Sequence, residues 1–404
     1  MLFQFGFYSS LLLISFSQGV IFSVLLFIKS IQTSTKSYFW LSIFLLLCSL
    51  YIAPWMLGFA GWYDNQPYRD FMFYMPFQHL FFLGPIIYFY TKSLLNPSFK
   101  FGKKERAHLL PGLLYLTYSI IILVYDKIVL KKYYFYEDGV DKDFDQWYQI
   151  AGLLSMIIYF AVSIKYYTLY KKLIVQVTSF ADTILFRWVK NFLFAFLAMQ
   201  ILQVIFYIIG YIHPNTLSYV GGWWYYLIFS IIMYYIAVAG YANQVSAKIP
   251  YSLSIIDNHT VMFLQNSPSF LLEDVSTIDI DYEMTEENIS PEMEVWKNKI
   301  LELIKIEKLY ENPELTLSDV SKKLLTNASI VSKAINSGFQ MNFNNFINHY
   351  RIKAVKEMFL QGEHKKQTLL GIAFDCGFNS KATFNRAFKK NTGFSPKEFL
   401  KHNK

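Results

Sequence analysis

The side chains with chemistry to offer lie near the C-terminal end. Between Ser380 and Asn391 a 3.6-residue period puts Thr383, Phe384, Ala387 and Phe388 on one side and Lys381, Asn385, Arg386, Lys389 and Lys390 on the other. A face of guanidinium, ammonium and amide groups can neutralise phosphate and form flat hydrogen bonds, but it holds no nucleophile, acid pair or general base. An earlier stretch, opening at Asn327, repeats the plan with Val331 and Ile335 turned in and Ser329, Ser332 and Lys333 turned out. Residues 293–404 carry nineteen Lys and Arg against ten Asp and Glu, an excess that asks for a polyanion, with nucleic acid the first candidate.

Each face needs a partner helix to hold it. Thr316-Leu317-Ser318-Asp319 reads as a cap with an acid three residues on, opening a helix that buries Leu317, Val320 and Leu324. Thr368 to Asp375 reads as the corresponding helix before Gly377 and the Ser380 helix. Two short helices joined by a tight turn, twice over, predict two helix-turn-helix units. Between them Phe343 to Leu360 reads as one long helix with Phe346, Ile347, Tyr350, Ala354 and Met358 along a side, and Trp296 to Ile304 reads as a helix ahead of both. Ser395-Pro396-Lys397-Glu398 caps a last helix.

The run Gly371-Ile372-Ala373-Phe374-Asp375-Cys376-Gly377-Phe378-Asn379-Ser380, then Phe384-Asn385-Arg386-Ala387-Phe388-Lys389-Lys390 and Gly393-Phe394-Ser395-Pro396, resembles the C-terminal signature of the AraC/XylS family of bacterial transcription regulators. The resemblance spans residues 295–402, and the rest of the chain is more loosely similar to a subset that joins such a domain to a multi-span region. It implies that the second helix of each unit enters a major groove while the long helix holds the two apart. Base-reading roles then fall to Ser329, Ser332 and Lys333 in the first unit and to Lys381, Asn385 and Arg386 in the second. Lys389 and Lys390 take phosphate, which positions the protein without specifying sequence. The first unit departs from the family pattern, with Leu325 where the turn often has Gly or Asn.

The remainder is lipid-like. Of 404 residues 54% are hydrophobic, 19% aromatic and only 16% charged, and the apolar residues are concentrated before about Tyr241. Seven stretches approach the roughly 20 residues a bilayer-crossing helix needs: Phe7 to Ile28, Tyr38 to Phe59, Phe71 to Leu94, Leu109 to Tyr125, Trp147 to Tyr170, Trp188 to Ile212 and Gly221 to Tyr241. Lys and Arg gather in alternate segments, at Lys29, Lys36, Lys92, Lys100, Lys103, Lys104, Arg106, Lys165, Lys171, Lys172, Arg187, Lys190 and Lys248 against only Arg69, Lys127, Lys131, Lys132 and Lys142 in the others, which predicts an outside N-terminus and a cytoplasmic tail. Without a basic n-region the first stretch reads as a retained span. Gln78, His79, Gln200 and Gln203 are costly in lipid; they either line a ligand pocket or hydrogen-bond between helices. Cys48 and Cys376 are the only cysteines, so neither a disulfide frame nor a cysteine metal site is expected.

Between the halves, residues 250–292 hold nine acids and no Lys or Arg, with Pro250, Pro268 and Pro291. They read as a largely flexible acidic tether whose charge opposes that of the domain it leads to. The expected fold is all-α, a seven-helix polytopic membrane bundle at 1–248, the tether at 249–293 and an AraC-type domain at 294–404 of two helix-turn-helix units joined by a long helix. The expected function is a sequence-specific DNA-binding regulator in the bacterial inner membrane, coupling a membrane or extracytoplasmic signal to gene expression; the alternative is a receptor or transporter whose tail binds protein. Its partners would be double-stranded DNA, the lipid bilayer and a signal ligand, with RNA polymerase and a second copy of the chain as further candidates. No cofactor, metal site or catalytic set is expected, so the chain does not read as an enzyme.

Overall fold

A computed structural model of the protein describes residues 4–96, 99–181, 186–218, 220–242, 251–253, 260–264, 275–279 and 291–402. The fold is all-α apart from one small sheet, and contacts divide it into two units. The first unit comprises residues 1–166 and 187–246, the second residues 167–186 and 247–404. The second unit thus includes a segment from the middle of the apolar half, which the linear order of the sequence does not announce.

Helices α1 (Phe7–Thr33), α2 (Lys36–Phe59), α6 (Leu110–Val124), α7 (Gln146–Val177), α8 (Phe186–Ile212) and α9 (Trp223–Ala242) match six of the seven expected stretches, and all belong to the first unit except α7 beyond residue 166 and the first residue of α8. Among the described residues six helices could cross a membrane by length and composition; α6 reaches that length through a π-helical extension to Leu130. Their outward faces are apolar: Ile14, Ile121, Ile158, Phe194, Ile208 and Ile231 are all exposed.

The third expected span, Phe71 to Leu94, is not one helix. It is split into α3 (Tyr68–Tyr74) and the 16-residue α4 (Leu80–Leu95), with extended chain between. Pro76 has no N–H and forces the residue before it out of the α region, and Met75 adopts φ −90°, ψ 112°. The freed backbone groups are met from the loop before α7 and from the first turn of α7. Asp143 Oδ2 accepts from Phe77 N at 2.6 Å and Gln78 N at 2.9 Å, its Oδ1 accepts from Tyr115 Oη at 2.7 Å, and Tyr148 Oη accepts from Leu80 N at 3.1 Å while donating to the Gln78 carbonyl. Irregular backbone in an apolar bundle persists only where protein satisfies it in this way. Between α4 and α6 lies the short α5 (Lys103–Ala107), whose Glu105 pairs with Lys92 at 2.9 Å.

In the second unit, β1 (Tyr251–Leu253), β2 (Thr260–Leu264) and β3 (Val275–Asp279) form an antiparallel meander, with Leu253 opposite Val261 and Leu264 opposite Val275. The flexible tether expected at 249–293 otherwise falls largely outside the described residues. Helices α10 (Pro291–Ile306), α11 (Leu317–Lys323), α12 (Ala328–Phe339), α13 (Phe343–Leu360), α14 (Leu369–Asp375), α15 (Lys381–Thr392) and α16 (Pro396–His402) follow, and β3 runs beside α12. The C-terminal half of α13 joins Ile372, Ala373, Phe378, Phe384 and Phe388 in one core through Ile352, Val355 and Phe359. Each of the larger of these side chains contributes roughly 1.5–3 kcal/mol by leaving water.

Candidate nucleic-acid interface

Helices α11 and α12 form the first helix-turn-helix, α14 and α15 the second, with α13 between them. Five of these helix starts are fixed by a capping side chain. Thr316 Oγ1 accepts from Asp319 N at 3.2 Å while Asp319 Oδ2 accepts from Thr316 N at 2.9 Å, a closed capping box. Asn327 caps α12 through Ile330 N at 2.9 Å, Asn342 caps α13 through Asn345 N at 2.9 Å, Thr368 caps α14 through Gly371 N at 3.0 Å, and Ser380 caps α15 through Thr383 N at 3.2 Å. Each such cap is worth about 1 kcal/mol, and together they set where the helices of the two helix-turn-helix units begin.

The second unit presents the face expected of it. On α15 Thr383, Phe384, Ala387 and Phe388 are buried, whereas Lys381, Asn385, Arg386, Lys389 and Lys390 are all exposed. No carboxylate lies among those five, so the face is strongly cationic. Lys390 is tied back to α13, its Nζ donating to Asn345 Oδ1 at 3.0 Å, and Asn391 meets the His349 ring at 3.3 Å.

The first unit is different. Lys333 is exposed and Ser329 half-buried, but Ser332 is only 5% exposed and Asn336 is also buried on the helix that β3 borders. Ser332 therefore cannot touch a base edge in this arrangement, and of the three residues proposed for that helix only Lys333 stands free of the core. Periodicity had assigned α12 a narrow apolar stripe; α10, α11, α13 and β3 all pack on it, so its buried arc is wider.

The four polar residues singled out in the apolar half do not line one pocket. Gln78 is buried and hydrogen-bonded by Gln149, which also donates to the Asp143 carbonyl at 2.6 Å. His79 stands just before α4, its ring 6.1 Å from that of Phe82. Gln200 donates to the Met156 carbonyl at 3.3 Å, and the cavity beside Gln200 and Gln203 has a volume of about 20 Å³, room for roughly one water. Tyr159 is engaged with His108 Nδ1 at 2.8 Å.

A far larger cavity, about 710 Å³, opens between residues 55–73 and 133–144, lined by Trp55, Tyr63, Arg69, Tyr136, Glu137 and Asp141 among others. Asp141 forms part of its wall; it is 6% exposed, accepts from Tyr63 Oη at 2.7 Å, and is held above the usual carboxylate range by burial and by the neighbouring Asp143. Sequence reasoning does not find this site because its residues come from two helices and from loops far apart in the chain. Among the described residues no group of three or more His, Cys, Asp or Glu is placed to hold a metal ion.

No curated protein and no solved structure matches the chain. A sequence-family model described as a helix-turn-helix domain matches residues 320–402, from the middle of α11 to the end of α16, so this part of the chain is similar to DNA-binding transcription regulators.

Proposed function

We propose that the protein is a membrane-anchored, sequence-specific DNA-binding transcription regulator whose apolar unit senses a signal and whose C-terminal domain acts on DNA from the cytoplasmic side. The observation that carries this reading is the exposed Lys381-Asn385-Arg386 face of α15, set on a helix-turn-helix in a chain whose other unit turns Ile14, Ile121 and Ile231 outward. A groove about 12 Å wide admits such a helix, Arg and Asn can each make paired hydrogen bonds to guanine or adenine, and Lys389 and Lys390 flank them for phosphate. An outward apolar surface of this kind is stable in lipid and aggregates in water. With the N-terminus outside, the 710 Å³ cavity opens to the outside and is within the size range of small-molecule sites, so it is the place for the signal ligand.

The test is retention of the full chain, held in lipid nanodiscs, on duplex DNA across a salt series. Six phosphate contacts would weaken binding by about 10³-fold between 50 and 200 mM salt, because each releases counterions. A chain that fractionates with membranes yet ignores duplex DNA at the lowest salt would refute the DNA-binding reading.

A further inference from the structure

Helix α7 ends at Val177, and the four residues after it, Thr178, Ser179, Phe180 and Ala181, are all buried. A connection between two helices usually lies open to water, where its backbone groups find partners. Here the partners lie far along the chain, the most distant of them 172 positions away. Thr178 makes an antiparallel bridge with Thr316, and Ser179 N donates to the Leu315 carbonyl at 3.1 Å. Ser179 also offers two acceptors to Arg351 of α13: its carbonyl to Nη1 at 3.0 Å and its Oγ to Nη2 at 2.9 Å.

Arg351 is 1% exposed. A guanidinium has five N–H donors, and besides the two bonds to Ser179 its Nε donates to Tyr310 O at 2.8 Å, Nη1 to Asn348 Oδ1 at 3.3 Å and Nη2 to Asn312 O at 2.7 Å. Its charge is thus met by three backbone carbonyls, a hydroxyl and an amide, with the Phe378 ring 5.7 Å away. Burial lowers its pKa to about 9, which leaves it charged at neutral pH. Such a side chain is costly inside a domain unless every donor has an acceptor, and Ser179 provides two of the five.

We infer that the connection after α7 is a docking strap of the DNA-reading domain: Thr178 and Ser179 occupy a site built from Leu315, Thr316 and Arg351, and this fixes the start of α11 against the middle of α13. The recognised chemistry is an extended strand that pairs with Leu315 and Thr316 and sets a carbonyl beside a hydroxyl for the guanidinium fork. Thr316 is the cap of α11 and Arg351 lies on the helix joining the two reading units. The seating of the first unit on α13 is therefore controlled by a segment covalently continuous with α7. The inference rests on the proposed function only for what the strap controls.

The test locks the strap in the full chain. Thr178→Cys with Thr316→Cys places two thiols across an antiparallel bridge, within disulfide reach. A protease site inserted near residue 288 then separates the halves unless they are cross-linked. In nanodiscs under mild oxidation the halves should run as one species until reductant is added, while Thr178→Cys with Lys322→Cys, on the exposed side of α11, should not link. Arg351→Lys keeps the charge without the fork and should lower the linked fraction by about threefold or more. Ser179→Ala, which removes only the hydroxyl, should lower it by about twofold. Halves that separate without reductant in the 178/316 pair, or that link equally well through the 322 pair, overturn the strap. This readout needs no DNA, so it fails or succeeds independently of the DNA-binding reading. Locking should then leave DNA retention within about threefold of the reduced chain, and a loss beyond about tenfold would show that DNA is read with the strap withdrawn.

Discussion

The two helix-turn-helix turns share one hydrogen-bond pattern but differ at the residue that bears the strain. In the first, Leu325 N donates to Lys322 O at 3.2 Å and Thr326 N to Ser321 O at 3.0 Å; in the second, Gly377 N donates to Phe374 O at 2.9 Å and Phe378 N to Ala373 O at 3.0 Å. Leu325 and Gly377 are thus equivalent, and both are left-handed, with φ 52° and 89°. A side chain there costs roughly 1–2 kcal/mol, partly offset in any Leu→Gly change by the greater freedom of unfolded glycine. Leu325 is 94% exposed, so removing it forfeits no burial. Leu325→Gly should therefore stabilise the first unit by about 0.5–1 kcal/mol, slowing amide exchange in α11 and α12 about two- to fivefold in the full chain in nanodiscs. Gly377→Ala acts in the opposite sense and harder, since its Cβ would stand 2.2 Å from Tyr310 O and 2.8 Å from Glu311 O, backbone atoms that cannot swing away. The strain plus that overlap amounts to about 4 kcal/mol, a large share of a domain's stability, and exchange in α14 and α15 should rise by at least about a hundredfold. Leu325→Ala is the control, because it shortens the side chain but keeps the Cβ. If Ala stabilises as much as Gly, or if Gly377→Ala leaves exchange unchanged, the left-handed assignment of these turns is wrong.

Arg386→Ala should cost about 1–3 kcal/mol and relax discrimination at one or two base pairs, whereas Lys390→Ala should weaken all sequences alike; binding to a panel of single-base operator variants separates the two, and equal shifts for both would make Arg386 a phosphate contact. A reporter fused after Lys248 should read cytoplasm and one placed between Asp126 and Gln146 should read outside if the broken α3–α4 segment crosses together with the six longer helices, so two reporters on the same side would break the proposed topology. The acidic stretch that includes Glu283, Glu286 and Glu287, outside the described residues, leads to a domain of opposite charge, and β3, within the same acidic segment, lies beside α12. Replacing those three by Gln should strengthen DNA binding by the full chain severalfold at low salt, with the gain fading as salt screens it; no gain at any salt would leave the stretch as a spacer.

What was legible in the sequence was what is local. Thr316, Asn327, Thr368 and Ser380 each carry a polar oxygen immediately before a helical period, and each accepts the N–H three residues on, because a cap needs no information beyond its own turn. The apolar stretches were legible for the same reason, and the one that failed, Phe71 to Leu94, failed at a residue that was itself visible. Pro76 announces the break; that Asp143 fills it, 66 positions from Phe77, no period can show. Arg351 makes the same distinction within one side chain. It follows Ile347 by four residues and precedes Ala354 by three, so a charge visibly interrupts the apolar stripe of α13. An arginine there must either reach water or find five acceptors, and the sequence poses that question without answering it. The answer, Ser179, lies 172 positions earlier in a connection that composition alone assigns to the other half of the chain. For this protein, then, the residues proposed to read DNA are found from helix periods, whereas the contact of Ser179 with Arg351 is found only from a buried donor and its acceptors.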